Sequence, residues 1–202
     1  MPYSANHKQE TRSKIIETAR ILFNRHGFDG VSIDQVMEAV GMTRGGFYNH
    51  FKNKDALYTE AVSSFLMGRG AQWRKEAGID DSSRFNQDMA RQMVDAYLSS
   101  KHLKDLDGQC PMIALSSDIA RATPQVRASY QILLEAMVGL FTHSLPEESG
   151  QTRQKALSLA ALSVGGMILA RTLPESELVS ELRDAAMKTA NQIIDNADEQ
   201  LF

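Results

Sequence analysis

Apolar residues recur along this chain at the three- and four-residue spacing of one helix face, and the strict alternation of a half-buried strand is missing. The pattern predicts a first helix over residues 8–26, with Ile15, Ala19, Leu22 and Phe23 on one side and Gly27 as its stop. Ser32 and Gln35 have the spacing of a capping box, and Ile33, Val36, Met37 and Val40 form the stripe of a second helix that ends at Gly41. Thr43 caps a third helix that reaches about Asn49. Asn53 caps a fourth, continuous to about Lys75, with Leu57, Ala61, Val62 and Phe65 inward. A loop over 80–83 precedes a fifth stripe of Phe85, Met89, Met93, Ala96 and Tyr97, and 101–109 reads as loop. Cys110-Pro111 and Thr123-Pro124 open a sixth and a seventh helix, because proline suits the first helical position. The seventh carries Val126, Tyr130, Leu133, Leu134, Met137, Val138 and Phe141. After a turn over 147–151 come helices over 153–171 and 174–196. The fold class expected is all-α, with about nine helices.

The third helix breaks the pattern. Phe47 and Phe51 can turn inward, which leaves Thr43, Arg44, Gly45, Gly46, Tyr48, Asn49 and His50 at the surface. Two glycines in one helix cost about 1 kcal/mol each against alanine, so bulk is being kept off this face. A buried helix, a tight turn and a half-exposed second helix are the parts of a helix-turn-helix, and the bare face suits the major groove of DNA. Arg44 can pair with a guanine edge or a phosphate. Thr43, Tyr48, His50 and Lys54 carry donors for phosphate oxygens. Ser32, at a helix N-terminus, can hold another phosphate.

Composition bounds the rest. Of 202 residues, 43% are hydrophobic and 23% charged, which is ordinary globular usage. The net charge of −3 excludes a uniformly basic nucleic-acid binder, yet it divides into +3 over residues 1–54 and −6 beyond them. No apolar run approaches membrane-spanning length and the start of the chain lacks a signal-type apolar core, so a cytoplasmic location is expected. The single cysteine, Cys110, excludes an intrachain disulfide, and none of the five histidines forms an i, i+4 pair with another His or Cys, so no metal and no cofactor is expected.

The run 11–62, TRSKIIETARILFNRHGFDGVSIDQVMEAVGMTRGGFYNHFKNKDALYTEAV, resembles the N-terminal domain of TetR-family transcriptional repressors. The resemblance is carried by Phe23, Gly27 and Phe28, by Ser32-Ile33, by Val40-Gly41-Met42, and by the blocks 46–51 and 52–57. It implies a DNA-binding domain over 1–54 and an effector-binding and dimerisation domain over 55–202. It also implies a homodimer on a palindromic operator, with recognition helices about 34–36 Å apart. A small-molecule effector held by helices four to eight would tilt the continuous fourth helix and separate the heads. Leu157, Ala161, Val164 and Ile168 of the eighth helix, with Leu178, Leu182, Ala186 and Ile193 of the ninth, would build the dimer interface.

Candidate effector contacts are Trp73, Met89, Met93, Tyr97, Met112, Tyr130 and Met137, apolar or aromatic and several of them adaptable methionines. Cys110 precedes a helix start, where a thiolate is favoured, and the stretch 108–115 resembles the cysteine-containing helix start of TetR-type sensors of electrophiles and oxidants. The alternative for Cys110 is an inert buried residue. An enzyme is not expected, because no catalytic triad, phosphate-cradling loop or carboxylate pair stands at useful spacing. A sequence-indifferent architectural DNA binder fits poorly with the modest basic charge.

Overall fold

The computed structural model describes residues 5–79, 85–146 and 151–195. Among them run twelve helical segments and no strand: α1 Ala5–His26, α2 Ile33–Ala39, α3 Arg44–Phe47, α4 Lys54–Met67, α5 Arg69–Glu76, α6 Gln87–Tyr97, α7 Ser100–Lys104, α8 Pro111–Ala114, α9 Ser116–Ala120, α10 Pro124–Ser144, α11 Thr152–Thr172 and α12 Glu177–Asp195.

Three departures separate these twelve from the nine expected. The fourth helix is not continuous to Lys75. It stops at Met67 and the chain turns at Gly68, where the backbone comes so near that a Cβ would lie 2.8 Å from the Ser64 carbonyl oxygen. The stretch expected as loop after Lys101 begins with α7, capped by Ser99, whose hydroxyl accepts from the His102 amide at 3.1 Å. The helix expected from Pro111 is two short pieces, α8 and α9, that change direction at Leu115. In addition, Phe85 lies outside α6 and is exposed, because Asn86 caps that helix through the Met89 amide. Pro174 lies before α12 and does not open it. The loop expected over 80–83 and most of the turn over 147–151 lie outside the described residues.

The chain divides into two compact units. The first comprises the described residues to Arg69 together with Leu106–Ile132. The boundary expected at residue 54 falls inside this unit, because α4 packs on α1. Ile15, Ala19 and Phe23 of α1 meet Leu57, Tyr58, Ala61 and Val62 of α4 in a core with Val36, Met37, Phe47 and Phe51. Phe23 and Phe28 both pack on Tyr58, with ring centroids 4.8 Å away in each case. Burial raises the Tyr58 phenol well above its ordinary pKa. Segment 106–118 is tied to α1 by polar bonds. The buried Arg20 donates to the Asp107 carbonyl at 2.6 Å, Asn24 donates to the Gln109 carbonyl at 2.8 Å, and Arg25 pairs with the Asp107 carboxylate. That pairing holds the Asp107 carboxyl below its usual pKa.

The second unit comprises Gly70–Asp105 and the described residues from Leu133 onward. Here α11 and α12 pair along their length, with α6 and α7 against them. Gly166 allows the close approach, since a Cβ there would come within 3.0 Å of the Ala186 Cβ. The buried Arg183 donates to the Leu98 carbonyl at 2.8 Å, and Arg91 reaches Asp195 at 2.5 Å, fastening α12 to α6 and its end.

Candidate nucleic-acid interface

The site is built outward from two helix ends. Ser32 caps α2 as expected: its hydroxyl accepts from the Gln35 amide, and the Gln35 side chain accepts from the Ser32 amide at 2.7 Å. At the other end Gly41 takes φ +75, which a residue with a Cβ resists. This lets the Gly41 and Met42 amides donate back to Glu38 and Met37 at 2.9 and 2.8 Å, a Schellman turn. The chain leaves that turn aimed into α3. Phe47 and Phe51 then insert into the core with ring centroids 5.5 Å apart, fixing which side of α3 faces outward.

That outward side holds most of the residues expected there. Thr43, Arg44, Gly45, Tyr48 and Asn49 are exposed, and Gly46 and His50 are half-buried. Regular helix ends at Phe47, short of Asn49, and continues as turns in which the Asn49 and His50 amides donate to Gly46 and Phe47. Thr43 stands at the N-cap of α3 in extended conformation, but its hydroxyl makes no capping bond. Arg44 is not loose: its Nη1 donates to Asp34 of α2 at 2.7 Å. Hydrogen bonds with Tyr48 and then Asp34 raise its already high pKa. A Cβ on Gly45 would meet nothing nearer than Thr43 Oγ1 at 3.9 Å, so the open space there is a gap in the surface and not a packing need. Lys54, expected as a phosphate donor, is half-buried. Its ammonium sits over the Phe28 ring, 4.0 Å from the centroid, and burial lowers its pKa.

Beside α3 lies an open groove of about 680 Å³, lined by His7, Lys8, Glu10, Thr11, Lys14, Val40, Met42, Asn49 and His50. Three of these, His7, Lys8 and Lys14, are basic groups from the start of α1. Sequence reasoning missed them, although α1 begins with a basic stretch. His50 has a buried Nδ1 without a hydrogen-bond partner. Its pKa is lowered, first by burial, then by the nearby Lys8 and Arg12.

The other expected sets are distributed differently. Trp73, Met89, Met93, Tyr97 and Met137 belong to the second unit, and Cys110, Met112 and Tyr130 to the first. Trp73 packs edge-on against Tyr97 with centroids 6.0 Å apart, and over His102 at 5.1 Å. His102 Nδ1 lies 2.8 Å from the Tyr97 carbonyl oxygen. Tyr130 donates to the Met112 carbonyl at 3.4 Å, and burial, followed by the neighbouring Cys110, raises its pKa. Cys110 is only 3% exposed, and the helix it caps, α8, has four residues. Such a fragment cannot supply the dipole of a full helix, so the thiolate stabilisation expected from the sequence is not provided by α8. On α11 and α12, Leu157, Ala161 and Leu178 are exposed, and Val164, Ile168, Leu182 and Ile193 are half-buried. Ala186 departs from its expected place, turned inward against Gly166. No cluster of three metal-ligating side chains occurs among the described residues. No helix among them is long and apolar enough to cross a membrane.

A capped α2 with Val36 and Met37 buried, a glycine turn and an outward-facing α3 make this an all-helical protein with a helix-turn-helix. Residues 15–61 match the family model described as bacterial regulatory proteins, tetR family. Over 52 residues the chain is 42% identical to the HTH-type transcriptional regulator AcrR of Shigella flexneri, an alignment covering 26% of this chain and 24% of AcrR. The matched stretch spans about a third or less of the first curated relatives' length. Fold similarity runs further. A TetR-family regulator from Cytophaga hutchinsonii superimposes with a TM-score of 0.77 at 17% identity, covering 94% of this chain and 96% of that one. The reduced form of Escherichia coli NemR gives 0.72 at 19% identity, covering 92% and 97%. Residues 15–61 therefore resemble the N-terminal domain of the tetR family, and the rest of the chain shares the fold of these neighbours.

Proposed function

We propose that this protein is a transcriptional repressor that binds a palindromic DNA operator as a homodimer and leaves it when an effector binds. The observation that carries this reading is the outward face of α3, where Thr43, Arg44, Gly45, Tyr48 and Asn49 are exposed over a core closed by Phe47 and Phe51. A duplex can approach the bare backbone at Gly45. Arg44 then reaches a base edge, while Thr43, Tyr48 and His50 take backbone phosphates and fix the register. The basic groups at the start of α1 extend the phosphate contacts past α3. Two heads on one operator need a second copy. The exposed Leu157, Ala161 and Leu178 supply an apolar face for a four-helix contact.

Release acts through segment 106–118, because that segment is bonded to α1 by Arg20, Asn24 and Arg25. A small molecule, or a thiol-reactive one acting on Cys110, shifts this segment and α1 with it. The break at Gly68 removes the uninterrupted fourth helix as the lever. Selection of bound duplexes from a random-sequence library tests the first half. A palindromic consensus with two half-sites one helical turn apart is expected, and recovery of no preferred sequence would sink the reading.

A further inference from the structure

Arg44 and Asp34 occupy different helices of the candidate reading head, and the Arg44 Nη1 donates to Asp34 Oδ2 at 2.7 Å. The pair is open to solvent, with side-chain exposures of 59% and 55%. Exposed pairs of this kind add little to stability, so folding does not account for a carboxylate on a face meant for a polyanion. Asp34 does stand in the first turn of α2, where an acid complements the helix dipole. That role needs no contact with Arg44, and the next helical residue, Gln35, already serves the cap.

The effect on the guanidinium is geometric. A free arginine samples many rotamers and meets any phosphate it encounters. With Nη1 engaged by Asp34, the planar fork is restrained while its remaining N–H donors stay open to a ligand. An oriented edge suits the paired O6 and N7 acceptors of guanine. The carboxylate also repels phosphates that would otherwise capture Arg44 on unrelated DNA. We infer that Asp34 is a specificity-determining residue, which positions Arg44 for a base edge and penalises its use on the DNA backbone. This rests on the DNA-reading role given to α3 above.

The test uses the full-length protein, the duplex that the wild-type protein selects from a random-sequence library, and a scrambled duplex of equal length. Affinities are measured for the wild type, Asp34→Asn, Asp34→Glu, Arg44→Ala and the Asp34→Asn/Arg44→Ala double variant, each with its melting curve. Asp34→Asn is expected to reduce the ratio of selected to scrambled affinity by about tenfold, the scale of one well-made base contact. Scrambled binding stays level or rises, Asp34→Glu restores part of the ratio, and Asp34→Asn has no effect on the ratio once Arg44 is alanine. Equal losses on both duplexes, or an undiminished effect in the Arg44→Ala background, overturn the inference while leaving DNA reading by α3 intact. An Arg44→Ala variant with unchanged ratio, or the selection of no duplex, removes the DNA-reading role of Arg44 and this inference with it.

Discussion

Gly27 and Asp118 fit together so closely that a Cβ at residue 27 would lie 2.7 Å from Asp118 Oδ2. Gly27 also has φ +72, and the same carboxylate oxygen accepts the Phe28 amide at 2.9 Å. Two independent constraints therefore fall on one position. Gly27→Ala is expected to destabilise the first unit by about 2–3 kcal/mol, combining the left-handed penalty with loss of the Asp118 contact. Asp118→Ala should lose about 1–2 kcal/mol, because the Phe28 hydrogen bond and the exposed Arg121 pair go while the Gly27 backbone stays unstrained. Urea unfolding of the two variants checks the order, and a Gly27→Ala protein as stable as wild type would contradict the packing described.

Gly45→Ala separates folding from binding. A methyl at residue 45 meets only Thr43 Oγ1 at 3.9 Å, so the free protein accommodates it and gains up to about 1 kcal/mol of helix propensity. The same methyl stands on the proposed groove-facing side. The melting temperature should hold or rise while operator affinity falls. Unchanged affinity would mean that the duplex does not approach Gly45.

His50 gives a pH dependence with a definite sign. Burial, Lys8 and Arg12 depress its pKa, so the folded head favours the neutral ring. In the free protein its contribution to stability is present above the ordinary histidine pKa and is lost as pH falls through the depressed value. A phosphate on the ring reverses the preference for the neutral form. Operator affinity should therefore rise as pH is lowered from about 8 to 5.5, and His50→Gln should flatten that part of the rise. Fluorescence anisotropy of labelled duplex across this range distinguishes the two slopes.

The apolar face of α11 and α12 makes a prediction about assembly. Leu157 and Leu178 are 45% and 48% exposed in the single chain. Leu157→Asp or Leu178→Asp would place a charge in a buried helical interface, which the desolvation penalty opposes. Sedimentation should show the wild type as a dimer and the variants shifted to monomer, with loss of two-half-site binding. A monomeric wild type refutes the interface.

Cys110→Ser tests the thiol branch. The side chain is buried, so the variant should fold and bind operator much as wild type does, with modest destabilisation. Release by N-ethylmaleimide should occur in the wild type and not in the variant. Release in both would exclude Cys110 as the sensor.

How far these features were legible in the sequence depends on how local their causes are. The Ser32–Gln35 cap, the stops at Gly27 and Gly41 and the inward pair Phe47 and Phe51 follow from residues within a few positions of each other. The sequence pattern and the structure agree on them. The break at Gly68 was hidden because its flanks, 54–67 and 69–76, are both good helix. A lone glycine inside a helical pattern is usually tolerated. The resting contact of Lys54 with the Phe28 ring is not legible in the sequence, because the two stand 26 residues apart in the chain. Longer range still were the bonds from Arg20, Asn24 and Arg25 to residues 107 and 109, which no periodicity could reveal. In the same way, stripes on α11 and α12 show that apolar residues are present, but only packing sorts Ala186 to one side and Leu178 to the other.

Those long-range bonds bear on how such proteins can be recombined. A chimera that grafts residues 1–54 onto another protein's body would lose the Arg20 Nη1 and Asn24 bonds, whose acceptors sit at residues 107 and 109. A faithful transplant of this head must carry two separate pieces of chain, the N-terminal 69 residues and the stretch 106–132, stitched at three junctions instead of one.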